Sequence, residues 1–285
     1  MRELSLFSGY GGFSLGLKLA GINTRTIAYV EWEKYAQEII KARIKDKQEG
    51  KFGLDDAPIF SDISTFTGEQ FTGLVDIVTA GPPCPPFSVA GKRQGTYDPR
   101  NKWPDTLRVI RAVAPRYVLL ENVAGILSSR VDERTPAYGG VVVGQLTEIG
   151  YDCFWEVVGA DDASAPHRRK RWFCFGVLAD SDSQRGCSRA TDWQYAGDAG
   201  QPSETEECHR RIPAWPPGPS QSAEWGRILA ERPYLAPALT KDALAHFRGM
   251  VDGRTYRVEQ LKALGNGVVP AAVALFLRRL LGGHT

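Results

Sequence analysis

The chain has 285 residues, 42% hydrophobic, 24% charged and 10% aromatic, enough for one large domain or a domain with a modest insertion and too apolar for a disordered chain. Thirty-five basic against 33 acidic residues leave a formal charge of +2, so any polyanion partner must be met by local clusters: Lys92-Arg93, residues 168–171 and Arg210-Arg211. No apolar run reaches membrane-spanning length, the start shows no secretory pattern, and five irregularly spaced cysteines fit reduced thiols in a cytoplasm.

A strand is predicted over residues 3–7, then a glycine cluster and a helix over 13–20. A β-branched strand over 26–30 precedes a helix over 34–43, and a weak strand ends before Asp62. Residues 74–79 form an apolar strand running into Gly81-Pro82-Pro83, followed by a helix over 106–114. A strand over 117–120 ends at Glu121-Asn122. A helix over 141–149 and strands over 151–158 and 172–177 complete this half. Short apolar strands alternating with helices predict an α/β fold with a parallel, doubly wound sheet. From residue 179 to about 237 the chain is rich in Ser, Gly, Pro, Asp and Trp without periodicity, and reads as a small irregular inserted subdomain. A strong helix returns at residues 270–281.

Three stretches carry chemistry. Phe7-Ser8-Gly9-Tyr10-Gly11-Gly12 follows the first strand, where glycines let the backbone turn sharply against a ligand, although Ser14 breaks the strict dinucleotide spacing. Glu31 ends the second strand at about the distance from which a carboxylate accepts ribose hydroxyls, and Asp62 follows the third. Together they suggest a nucleoside-containing cofactor; the alternative is a plain tight turn with two exposed carboxylates. Four prolines surround Cys84 in Pro82-Pro83-Cys84-Pro85-Pro86, fixing the backbone around a thiol at a strand end, as a held nucleophile requires and a structural cysteine does not. Cys153 and Cys174 lie in apolar strands and read as core. Glu121 ends its strand where lost solvent can raise its pKa until it donates a proton; the alternative is a surface helix cap. Alternation before the last strand sends Arg169 and Arg171 to one side and Arg168 and Lys170 to the other. The competing reading is a solvated basic cluster.

In this order the pieces resemble the cytosine-C5 DNA methyltransferase family, over nearly the whole chain apart from the insert. Phe7-Ser8-Gly9-Tyr10-Gly11-Gly12 is similar to its first motif, Glu31-Trp32 to the second, Asp62-Ile63 to the third and Pro83-Cys84 with Pro86-Phe87-Ser88 to the catalytic fourth. Glu121-Asn122-Val123 is similar to the sixth, His167-x-Arg169-x-Arg171 to the eighth, and residues 265–270 to the last. Ser5, Pro85, His167 and Gly267 depart from common family choices.

The resemblance implies a Rossmann-like S-adenosylmethionine-dependent fold of bacterial or phage type, with residues 1–178 plus 256–285 catalytic and 179–255 a target-recognition subdomain. It implies a cofactor pocket of Phe7, Ser8, Gly9, Gly11, Gly12, Glu31, Trp32, Asp62, Ile63, Pro83 and Asn266. Phe7 would stack on adenine, Glu31 hold the ribose, Trp32 flank the purine and Asp62-Ile63 contact its edge. Cys84 would be the nucleophile and Glu121 the acid, with Arg169 on the O2 side of the base and Arg171 supporting the acid or the loop. Residues 88–95 match the family's mobile loop. Double-stranded DNA is the implied partner and a cognate restriction endonuclease a further one, for a monomeric cytoplasmic enzyme. The alternative substrate is cytosine in transfer RNA. An inactive nucleic-acid-binding relative would need damage to the cysteine turn or Glu121, which is absent, and the broken glycine fingerprint disfavours a nicotinamide-dependent oxidoreductase. Arg189, Gln194, Arg210 and Arg211 are candidate base readers. Cys187 with Cys208-His209 has poor spacing for zinc, and no metal is expected.

Overall fold

The computed structural model describes residues 1–83, 101–130, 136–165, 168–179 and 267–282. Cys84, Asn266, His167, residues 88–95 and the insert with its candidate base readers and zinc ligands lie outside the described residues.

Seven strands form one sheet: β1 (Arg2–Leu6), β2 (Arg25–Val30), β3 (Ile59–Phe60), β4 (Ile77–Ala80), β5 (Tyr117–Val123), β6 (Tyr151–Val158) and β7 (Arg171–Leu178). Their order is β3-β2-β1-β4-β5-β7-β6. Among the described residues five α-helices flank them: α1 (Gly12–Leu19), α2 (Lys34–Gln48), α3 (Trp103–Val113), α4 (Tyr138–Glu148) and α5 (Pro270–Leu280). The elements expected from periodicity all occur, with ends shifted by a few residues.

Alternation along the strands sorts the apolar residues onto two faces. Leu4, Leu6, Val78, Ala80, Val118, Leu120, Trp172 and Cys174 join Leu107, Ile110, Val142 and Leu146 of α3 and α4 in one core cluster. Ile77, Leu119, Phe173 and Phe175 join Phe13 and Leu17 of α1 and Val273, Phe276 and Leu277 of α5 on the other face. Cys174 is core as expected, while Cys153 is only partly buried. Helix α3 shows why its segment is helical: Pro at its first turn with Asp105, a buried stripe of Trp103, Thr106, Leu107, Ile110 and Val113, and Arg111 in the last turn. Gly16 lets α1 and α5 approach, since a Cβ there would lie 2.6 Å from Val273 Cβ.

One expectation needs correction. β7 runs antiparallel to both β5 and β6, so the sheet is mixed rather than wholly parallel. A parallel return needs a crossover of about a dozen residues or more, usually a helix. The link after β6 instead turns at residues 160–164, with Ala160 and Arg168 joined by a backbone hydrogen bond of 2.8 Å. Hydrophobicity alone carries no strand direction.

A polar network lies inside the α1 face. Thr26 Oγ1 donates to Glu3 Oε2 at 2.6 Å and Thr79 Oγ1 to Glu3 Oε1 at 2.8 Å. Burial pushes the Glu3 carboxyl above its ordinary range, against the hydrogen bonds that favour its charge. Among the described residues no helix is long and apolar enough to cross a membrane.

Candidate functional site

The strand order reverses between β1 and β4, and in such sheets ligands bind outside the carboxyl ends of the strands at that switch. The turn after β1, Glu31 after β2, Asp62 after β3, Gly81 after β4 and Glu121 near the end of β5 all lie on this edge. Because β7 is antiparallel, its beginning lies there too, so Arg171 pairs in register with Val123. The strand reversal thus delivers the basic pair to the site.

The first turn is held by its own backbone and by β2. Gly9 and Gly11 have φ of 55° and 84°, and Phe7 has φ of 51°, a left-handed conformation that costs a phenylalanine on the order of 1 kcal/mol. Ser8 Oγ donates to the Ser5 carbonyl at 2.9 Å. Gly9 N–H donates to Glu31 Oε2 at 2.7 Å, and Glu33 N–H to Glu31 Oε1 at 2.8 Å. A carboxylate offers about four acceptor sites, so room remains for a hydroxyl. Burial raises the Glu31 pKa while the backbone amides of Glu33, Gly9 and Trp32 restrain it. Trp32 beside it is 67% exposed, an aromatic face with no core to fill. An added Cβ on Gly9 would meet nothing within 4 Å, so the turn is open to a ligand there. The Gly11 and Gly12 positions are filled instead by Leu54 and the Val268 carbonyl. This geometry fits the nucleoside half of S-adenosylmethionine. Phe7 packs in part against the core, Ile63 is buried, and Asp62 is partly exposed with Oδ1 accepting from Ser64 N–H at 2.9 Å. Hydrogen bonds from Ser64 hold the Asp62 carboxyl below its ordinary range.

Glu121 faces the α1 side, where Arg171 Nε meets its Oε1 at 2.8 Å. The residue is 8% exposed. Burial is the largest influence and pushes its pKa up to about 7, against the charges of Arg171 and Arg169 and the Arg171 hydrogen bond. Arg171 is thus paired directly with the Glu121 carboxyl. Arg169 Nη2 donates to the Gly267 carbonyl at 2.8 Å, while Arg168 and Lys170 are exposed, so the expected alternation holds. Glu121 Oε2 lies 3.3 Å from where a Cβ on Gly81 would stand, so its carboxyl sits beside the turn formed by Gly81, buried Pro82 and exposed Pro83.

Two residues that the sequence motifs contain, but to which the sequence assigned no role, brace the site. Asn122 Nδ2 donates to the Pro82 carbonyl at 3.0 Å from the opposite sheet face, bracing the proline bend. A small cavity lined in part by Pro82, Pro83, Asn122 and Trp172 adjoins it. Tyr10, between the glycines, donates to the Val268 carbonyl at 2.5 Å. The only signal for either was its position within a motif.

The chain is similar to several known proteins. The chain is 35% identical over 184 residues to Type II methyltransferase M.CviJI of Paramecium bursaria Chlorella virus IL3A, covering 64% of this chain and 45% of that protein. It is 33% identical over 178 residues to Type II methyltransferase M.HhaI of Haemophilus parahaemolyticus, covering 61% and 49%. The crystal structure of S. pombe Dnmt2 methyltransferase is similar with a TM-score of 0.48 and 24% identity, covering 67% of this chain and 57% of that one. The chain spans about half the length of the curated relatives it matches. Residues 1–216 match the family described as C-5 cytosine-specific DNA methylase, and the chain belongs to that family.

Proposed function

We propose that the chain transfers a methyl group from S-adenosylmethionine to C5 of a cytosine flipped out of double-stranded DNA, through a covalent adduct with Cys84. The observation that carries this reading is the buried Glu121–Arg171 pair beside Gly81-Pro82, a carboxyl that titrates near neutrality next to a segment two residues before Cys84 in the sequence. Phe7, the Ser8–Gly12 turn, Glu31, Trp32, Asp62, Ile63, Pro83 and Asn266 would hold the cofactor, Glu31 on the ribose. When bound, it supplies an electrophilic methyl on a sulfonium sulfur.

Cytosine C5 is a poor nucleophile. The Cys84 thiolate adds at C6, forming an S–C6 bond and pushing an electron pair toward N3, where Glu121 donates its proton. The resulting enamine carbon C5 takes the methyl as the methyl's bond to the donor sulfur breaks, the electron pair staying on sulfur as a neutral thioether. Loss of the C5 proton, to a water as base, then expels Cys84 as thiolate, and return of the N3 proton to the Glu121 carboxylate restores the ring. Arg171 keeps enough charge near Glu121 for the proton to leave, and Arg169 adds positive potential on the O2 side. The reacting atoms are hidden in a duplex, so the base must leave the stack.

Residues 1–178 with 256–285 form the catalytic part in this reading, and 179–255 read the target. The family description, which names DNA, supports DNA over transfer RNA as substrate, and a restriction endonuclease is the functional partner that goes with this reading. The test is methyl transfer from labelled S-adenosylmethionine to mixed-sequence DNA, with Cys84→Ala beside wild type. Labelling by wild type alone, and trapping of the chain on DNA containing 5-fluorocytosine, is expected. Labelling retained by Cys84→Ala, or transfer to RNA in preference to DNA, refutes it.

A further inference from the structure

The Gly267–Val268 segment before α5 is gripped from two directions. From the cofactor side, the Tyr10 hydroxyl donates to the Val268 carbonyl at 2.5 Å. The same carbonyl occupies the space that a side chain on Gly12 would need, so the segment lies directly on the glycine turn. From the base side, Arg169 Nη2 donates to the Gly267 carbonyl at 2.8 Å. Arg169 lies two residues from Arg171, which carries the ion pair to Glu121.

We infer that Tyr10 is a positioning residue, whose hydroxyl couples the cofactor turn to the acid-bearing edge of the site through the Gly267–Val268 segment. This inference rests on the function proposed above. The turn that Tyr10 belongs to also orients Gly9 N–H, which holds the Glu31 carboxylate at 2.7 Å. A loosened turn therefore misplaces the group proposed for the ribose. A phenol suits the task because its rigid ring carries one donor to a fixed reach, whereas an aliphatic side chain would fill space without bonding the carbonyl. The charges of Arg169, Arg43 and Glu121 all bear on this hydroxyl, and its burial disfavours ionisation, so it stays a donor.

The test compares wild type, Tyr10→Phe and Tyr10→Leu for S-adenosylhomocysteine binding by calorimetry, which needs neither DNA nor turnover. Single-turnover methyl transfer at saturating cofactor and thermal midpoints are measured alongside. Removing one buried hydrogen bond should weaken S-adenosylhomocysteine binding on the order of tenfold and slow the single turnover, equally in Phe and Leu variants. Unchanged affinity and rate in Tyr10→Phe, whatever its thermal midpoint, overturns the inference, as does a loss confined to Tyr10→Leu, which would credit the ring. A second measurement uses wild type only: S-adenosylhomocysteine should slow amide exchange in residues 267–272 as well as in 8–12. Protection of 8–12 alone overturns the coupling. Failure of wild type to bind S-adenosylhomocysteine or to methylate DNA would instead refute the proposed function itself.

Discussion

Replacing Arg171 with methionine removes the cation 2.8 Å from Glu121 while keeping much of the side chain's bulk. Both side chains are largely buried, at 20% and 10% exposure, so solvent screens their attraction little. At a charge separation of about 4 Å and an effective dielectric of about 20, the attraction is about 4 kcal/mol, an upper limit of roughly 3 pH units. Arg169 remains and continues to favour the carboxylate, so a rise of about 1–3 units is expected. The direction is upward, because a lost cation makes the charged carboxylate harder to keep. Glu121 must be protonated to donate at N3, so kcat/KM for DNA, which reports the free enzyme, should fall in wild type as pH rises through about 7. In Arg171→Met the whole profile is lower, and its basic limb moves to about 8–10. The variant therefore loses least, relative to wild type, at high pH. A basic limb that stays in place or moves down would refute Glu121 as the acid that Arg171 controls.

Glu121→Gln should trade activity for stability. The wild-type carboxyl ionises at 4.5 when unfolded and about 7 when folded, so stability is full below 4.5, declines between the two and stays reduced above. Calorimetric melting should therefore show the variant roughly 3 kcal/mol more stable than wild type at pH 8.5 and little different at pH 5, with methyl transfer abolished. Glu3, buried with hydroxyl partners and also raised, predicts the same sign: wild-type midpoints fall as pH rises above the ordinary glutamate range, and Glu3→Gln flattens that fall without touching the site. Trp32→Ala should leave the melting midpoint within the usual surface range of about 0.5 kcal/mol. Lost stacking of about 1–3 kcal/mol should weaken S-adenosylhomocysteine binding roughly 5- to 150-fold by calorimetry.

Local chemistry made much of this protein readable from its residues in order. Apolar runs of strand length, glycines after the first strand, prolines around Cys84 and acids at strand ends are short-range features, and they specified the α/β elements and their motifs without reference to neighbours. Period-two alternation even separated Arg169 and Arg171 from Arg168 and Lys170 before any partner was known. Hydrophobicity has no polarity along the chain, so the antiparallel run of β7 was invisible, and with it the reason Arg171 reaches Glu121. The same limit hid the grip on residues 267–268, made by side chains 98 and 258 positions away in sequence. Burial is likewise a collective property: the Glu121 carboxyl titrates near neutrality only once the sheet and its covering elements close around it, against the pull of Arg171 and Arg169, because desolvation depends on atoms that no local pattern names.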